Sequence, residues 1–181
     1  MDNAVVWDYI EESHGGLSVL FLKPGMRPKF PMSWTGKLIE GLNENNIAEH
    51  MDPHGPCAGY IDINANYNQM ARRGAEISWI EILDPEFRGR GFGRDLTQVG
   101  AMHIGGYGVG RLELEAHNGT EGFHEKMGFT RETSQKGLRS NIISMATNLP
   151  NTELNAAWTK FKMNPTLSQI ASDLTARREI S

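Results

Sequence analysis

One cysteine, Cys57, stands in 181 residues, and that scarcity excludes an internal disulfide and any cysteine-cluster metal site. It reads as a buried thiol. Long apolar runs are missing too: none approaches the about 18 residues that a membrane-crossing helix needs. Acidic residues come early, at Asp2, Asp8, Glu11 and Glu12. A soluble, cytoplasmic protein with no membrane contact is expected. His14, His50, His54, His103 and His117 lack metal-ligand spacing, so no metal is expected, and His103 reads as a satisfied residue at the core edge. Positive charge is in deficit, with 18 Lys and Arg against 22 Asp and Glu, which disfavours nucleic-acid binding driven by electrostatics. A local basic patch remains able to hold an anionic cofactor.

What is present suits one domain, in which a chain this long buries about 70% of the surface its unfolded form exposes. No repeat or low-complexity segment breaks it up. Short β-branched or aliphatic runs predict strands at Val5 to Tyr9 and Leu17 to Leu22, around the turn Ser13-His14-Gly15-Gly16. Lys23 to Pro31, with three prolines and basic residues, predicts a solvated loop. Ser33 reads as the cap of a helix running to about Met51, with Trp34, Leu38, Leu42 and Ile47 as its stripe. Cys57 to Ile63 predicts a strand, Asn64 to Gly74 a polar turn, and Ile77 to Leu83 a strand covered on both faces.

That last strand runs into Asp84-Pro85-Glu86-Phe87-Arg88-Gly89-Arg90-Gly91-Phe92-Gly93-Arg94. Glycines at alternate positions let the backbone approach a ligand, and the first turn of the following helix offers unpaired N–H groups to an anion. Arg88, Arg90 and Arg94 add matching charge, so the turn reads as a diphosphate cradle. The competing reading is a tight turn with solvated arginines. Phe92, Leu96, Val99 and Met102 hold helical spacing up to Gly105-Gly106, and Arg111 to Ala116 alternates as a strand, which together make a right-handed βαβ unit with parallel strands. The pattern G-x-G-x-G departs from the G-x-G-x-x-G dinucleotide fingerprint, and no Walker lysine followed by Ser or Thr occurs. Asn118 or Thr120 can cap a short helix to Lys126, Gly128 can end it, and Leu138 to Leu149 predicts the final strand. Two amphipathic helices are predicted in the tail, one with Leu154, Ala157, Trp158 and Phe161, the other from Asn164-Pro165 with Leu167, Ile170, Ala171 and Leu174. They pack on their own sheet or form a homodimer interface.

Arg88-Gly89-Arg90-Gly91-Phe92-Gly93 resembles the Q/R-x-x-G-x-G/A signature of the GNAT superfamily of N-acetyltransferases. Leu83-Asp84-Pro85-Glu86 is similar to its apolar-x-Pro lead-in, and Phe123-His124-Glu125-Lys126-Met127-Gly128-Phe129 to its F-Y-x-K-x-G-F segment, so the likeness spans about Ala75 to Phe129. The resemblance implies an α/β (α+β) GNAT fold: a mixed central sheet with two splayed parallel strands, flanking helices and extra C-terminal helices. One N-acetyltransferase domain over 1–181 is then expected, with 151–181 as a helical extension. It also implies acetyl-CoA as co-substrate. Ile82 and Leu83 would pair with the pantetheine, Arg88, Gly89, Arg90, Gly91, Phe92, Gly93 and Arg94 would hold the diphosphate, and Asn118 and Lys126 would complete the cofactor site.

Acetyl transfer to an amine needs a base, an oxyanion donor and a proton for the leaving thiolate. The backbone N–H of Leu83 or Ile82 is the candidate donor. Leu112-Glu113-Leu114-Glu115-Ala116-His117-Asn118 resembles the L-E-V-R-A-S-N strand of ribosomal-protein N-terminal acetyltransferases, which makes Glu113 the first candidate base, Glu81 the second and Glu76 the third. The bland alternative makes Glu113 and Glu115 a solvated face. His124 stands where the family usually has Tyr, and is either the acid or a packing residue. The expected activity is acetyl transfer from acetyl-CoA to a primary amine on a small molecule, a protein N-terminus or a lysine. The acceptor site is expected in 23–34, 64–74 and the final strand pair. An idle acyl-CoA-binding module, or acyl or aminoacyl transfer to nucleic acid, are the alternatives, the basic run Lys23, Arg27 and Lys29 favouring the last.

Overall fold

The structure is a computed structural model and describes residues 3–132 and 141–180. Its elements are β1 (Val5–Tyr9), β2 (Leu17–Phe21), β3 (Gly25–Arg27), β4 (Phe30–Glu40), α1 (Ile47–His50), β5 (Gly59–Ala65), α2 (Tyr67–Ala71), β6 (Gly74–Ile82), α3 (Phe92–Gly105), β7 (Arg111–His117), α4 (Glu121–Glu125), β8 (Thr130–Arg131), β9 (Ile142–Asn148), α5 (Ala157–Lys160), β10 (Phe161–Met163) and α6 (Pro165–Ile180). The strands form one sheet in the order β10-β1-β2-β4-β5-β6-β7-β9-β8, with β3 alongside β4. Every described pairing is antiparallel except β6 with β7, which α3 connects. The mixed sheet and the βαβ unit expected from the sequence are therefore both present. No described helix is long and apolar enough to cross a membrane.

Alternation along the central strands divides the core. Val19 and Phe21 of β2 join Trp34, Leu38, Ile61 and Ile63 beneath Leu96 and Val99 of α3. Leu20, between them, points the other way and meets Val6, Ile39, Ile47 and Met51 with Leu167 and Ala171 of α6. Each such side chain contributes about 1.5–3 kcal/mol relative to exposure. The second layer also seals an edge. Where β10 ends, α6 takes over along β1: the Val6 N–H donates to Ser168 Oγ at 2.9 Å, and the Asn164 N–H donates to the Val6 carbonyl at 2.8 Å.

Four expectations are corrected. Ser33 to about Met51 is not a helix: the stretch holds the end of an eleven-residue strand, β4, and only Ile47–His50 is helical. Trp34 and Leu38 lie four apart, a spacing that fits a helical turn and also two strand repeats, and Gly36 between them supplies the same-face position. A Cβ at Gly36 would stand 2.7 Å from the Phe21 ring. Lys23 to Pro31 is not all loop, because Gly25–Arg27 pairs back on β4 as a hairpin and Pro31 lies ahead of the β5 ladder, where a missing N–H is tolerated. Asn64 to Gly74 contains α2, closed by a reciprocal capping box between Asn66 and Gln69. Phe161 belongs to no helix: it opens β10 and pairs with Tyr9. The final strand begins at Ile142 in the structure, and the part of its predicted range before 141 lies outside the described residues.

Candidate active site

The site arises from a phase slip in β6. Ala75 and Ile77 are buried at odd positions, but Ile80 and Ile82 carry the apolar pattern on at even ones. The slip is a β-bulge: Asp62 pairs with Trp79 and Ile63 with Ile77, which leaves Ser78 as the extra residue. Asn64 Nδ2 donates to Ser78 Oγ at 2.7 Å and pins it. The parallel ladder with β7 stops at Ile77↔Leu114, just before the bulge, while β6 runs on to Ile82 against β5 and β7 to His117 against β9. The two strands part there. Between them opens a cavity of about 690 Å³ walled by Ile77, Ser78, Trp79 and Ile80 on one side and Leu114, Glu115, Ala116 and His117 on the other, with Phe123 and His124 of α4 across it.

At the far end of β6 the chain turns into α3. Asp84 accepts the Glu86 N–H at 2.9 Å to start the 3-10 turn Pro85–Phe87, and Phe87 anchors it in the core. Gly89 and Gly91 take φ of +72° and +86°, a region side-chain-bearing residues avoid, and Gly91 is the N-cap of α3. No side chain caps this helix, so its first-turn N–H groups are presented by bare backbone. A Cβ at Gly93 would meet Phe123 Cζ at 3.6 Å, which places the cavity wall against the helix start.

The three arginines of the turn divide. Arg88 turns back, donating from Nε to the Ile82 carbonyl at 3.0 Å and from an Nη to the Leu83 carbonyl at 3.3 Å. Arg90 lies over the Phe87 and Phe92 rings, at 5.5 and 5.3 Å, and donates to the Glu86 carbonyl. Arg94 reaches over Gly91, where its guanidinium would stand 3.5 Å from a Cβ. The Leu83 N–H is spent on the Ala58 carbonyl at 2.8 Å. Antiparallel alternation against β5 turns the main-chain groups of Trp79 and Glu81 to β5 and those of Ile80 and Ile82 to the gap. Asn118 and Lys126 are both exposed, the former donating its backbone N–H to the Asn141 carbonyl at 2.8 Å and the latter closing α4.

The carboxylates separate just as clearly. Glu113 faces away from the gap in a smaller cavity of about 230 Å³, bonded to Arg111 at 3.1 Å, and Arg111 also pairs with Glu132. Glu81 accepts from Trp79 Nε1 at 3.0 Å and does not line the gap. Glu76 lines both cavities, and Gln69 Nε2 lies beside it at 3.5 Å. Burial raises its pKa, opposed by the Gln69 bond and helped by Glu115 and Glu113 nearby. The His124 ring is half-buried, its Nδ1 has no partner, and burial lowers its pKa, which favours the neutral imidazole.

Trp79, Ser78 and Glu115 belong to the gap although sequence reasoning assigned them no site role. The phase slip from Ile77 to Ile80 is the signal that announces them. His103 is not at the core edge: it is 5% exposed, stacked on Phe21 at 4.1 Å and accepting from Trp7 Nε1 at 3.3 Å, with Nε2 unpartnered. Burial holds its pKa down at about 3. Among the described residues no group of three or more His, Cys, Asp or Glu is placed to hold a metal ion.

Residues 30–129 match the model of the acetyltransferase (GNAT) family. No curated protein matches the chain. Solved structures similar to it include a ribosomal-protein-S18-alanine N-acetyltransferase from Escherichia coli, at 18% identity and TM-score 0.46 over 68% of this chain and 71% of that one. An IAA acetyltransferase from Bacillus cereus is similar at 17% identity and TM-score 0.46, over 65% and 78%. The PaiA N-acetyltransferase from Thermoplasma acidophilum, solved with coenzyme A, is similar at 15% identity and TM-score 0.46, over 64% and 60%.

Proposed function

The chain belongs to the acetyltransferase (GNAT) family and is an acyltransferase, and from that premise we propose that it moves the acetyl group of acetyl-CoA onto a primary amine in the gap between β6 and β7. The observation that carries this reading is the early end of the parallel ladder at Ile77↔Leu114, with an uncapped helix start and two left-handed glycines at the same end of the strands. The residues fit the cofactor. Ile80 and the Ile82 N–H are turned toward the gap and suit an amide-bearing pantetheine, as an added strand would find them, while the Ile82 carbonyl is held by Arg88. The first-turn N–H groups of α3 suit a diphosphate, with Arg94 above them.

Each remaining step falls to a residue of the gap. Glu76 takes a proton from the acceptor, leaving the nitrogen lone pair free to attack the thioester carbon. Its raised pKa brings it closer to the value a base needs near neutrality. As the nitrogen–carbon bond forms, negative charge gathers on the carbonyl oxygen, and the Ile80 N–H, which faces the gap beside the bulge, is the donor turned toward it, since that of Leu83 is committed to Ala58 and Ile82 lies at the far end of β6 from Glu76. The carbon–sulfur bond then breaks, the electron pair leaves with sulfur, and the nitrogen, positively charged since the attack, sheds its extra proton to solvent to give the neutral amide. Neutral His124 contributes a hydrogen bond to the departing thiolate, whose proton comes from solvent or from the carboxyl of Glu76. Trp79 and Glu115 stand where the acceptor enters, on the sheet face opposite α3.

Thermal shift with acetyl-CoA, CoA and NAD, followed in the same tube by thiol release over an amine panel, tests the proposal. Stabilisation by acetyl-CoA and CoA with amine-dependent thiol release is expected. Stabilisation by NAD alone overturns it, and CoA binding without release from any amine marks an idle binding module instead.

A further inference from the structure

Asp95 is the fourth residue of α3 and lies almost fully buried, 2% exposed, inside the turn whose N–H groups form the anion cradle. A buried carboxylate there opposes the purpose of the turn. The start of a helix carries about half a positive charge, and a full negative charge in the same turn and in a poorly screened surrounding cancels it for any incoming anion. One cation answers it directly: Lys160 Nζ lies 3.1 Å from Asp95 Oδ1 and 3.0 Å from Gln98 Oε1, one turn further along α3. His14 Nε2 stands at 4.0 Å from the other carboxylate oxygen, and the buried Tyr9 hydroxyl nearby stays neutral because burial and Asp95 both raise its pKa. Lys160 comes from outside the family-matched segment, 65 residues along the chain from Asp95. It sits at the junction of α5 and β10, where its carbonyl accepts the Ile10 N–H at 2.9 Å and fixes it to β1.

We infer that Lys160 is a positioning residue for diphosphate binding: carried in by the C-terminal segment, it neutralises Asp95 and so keeps the first turn of α3 attractive to an anion. The inference rests on the acetyl-CoA reading above and extends it to a residue outside the cofactor turn. A merely structural ion pair makes both partners equally necessary. A charge-balancing role gives them opposite signs toward the cofactor.

Calorimetric titration with CoA at pH 8 separates the two, using wild type, Lys160→Met, Asp95→Asn and the double variant, each checked for folding by circular dichroism. Lys160→Met is expected to raise Kd about three- to tenfold, in the range of charge effects at a partly buried helix start. Asp95→Asn is expected to leave Kd unchanged or lower it, and the double variant to return within about twofold of wild type. If Lys160→Met does not fold, the near-isosteric Asp95→Asn decides alone. Loss of CoA affinity in Asp95→Asn, or a Lys160→Met Kd within about twofold of wild type, overturns the inference. A wild type that does not bind CoA overturns the acetyl-CoA reading beneath it, and the inference with it.

Discussion

Acidification should destabilise this protein through His103 before most carboxylates titrate. Its ring is held neutral by burial, against Phe21 on one side and with Nδ1 accepting from Trp7 on the other, so the folded state gives up the proton that the unfolded chain keeps below an ordinary pKa of 6.5. Where the unfolded chain binds more protons, stability rises with pH. The contribution is therefore complete above 6.5 and is withdrawn as pH falls toward about 3. At about 1.36 kcal/mol per pH unit the whole interval is worth about 5 kcal/mol, and the part between pH 6.5 and 5 about 2 kcal/mol. Against a usual stability of about 5–15 kcal/mol this is a large share. Urea unfolding of wild type and His103→Phe at pH 7.5 and 5.0 isolates it, because His124, whose pKa burial also lowers, acts equally in both. The variant should lose about 1 kcal/mol at pH 7.5 through the unanswered Trp7 N–H. Its further loss on going to pH 5.0 should be smaller than that of wild type by about 2 kcal/mol. Equal acid losses in the two proteins would refute the reasoning.

Three more outcomes follow from the site and the core. Glu76→Gln should lower kcat by about a hundredfold or more, as loss of a general base does, whereas Glu113→Gln, outside the gap, should change it less than about threefold; steady-state thiol release decides, and the reverse order would return the base role to Glu113. Gly36→Ala should cost about 1–3 kcal/mol, because its methyl meets the fully buried Phe21 ring at 2.7 Å; an unchanged urea midpoint would contradict the packing described. Deleting residues after Asn151 removes β10 and α6 and uncovers Val6, Leu20 and Ile39, so the melting temperature should fall by more than about 10 °C; an unchanged one would reject a packing role for the tail.

Legibility followed the range of the forces involved. The glycine turn, α3 and the β7 alternation are set by neighbours within one or two turns, and Arg88 to Met102 could be placed from spacing alone. β4 was lost because Trp34 and Leu38 satisfy two periods at once, and only their partners Ile63 and Gly59 across the ladder choose between them. The base was ambiguous for a similar reason. Glu76 and Glu113 are register partners, equally acidic in sequence, and what distinguishes them is Arg111 beside one and the gap beside the other. Nothing near Asp95 in sequence announces Lys160.

The bulge at Ser78 makes the gap between β6 and β7 unusually sensitive to one kind of genetic change. Substitution there alters a side chain but keeps the count of residues, and so keeps the two strands apart. Removing that one residue should restore the register with β5 and let β6 continue its pairing with β7 beyond Ile77, closing the cavity while Gly89 to Gly93 stay intact; CoA affinity retained in a Ser78 deletion would refute this. On this reasoning a single in-frame codon loss would leave the glycine turn unaltered with no room for a substrate, and a scan for the turn alone would not tell the two apart.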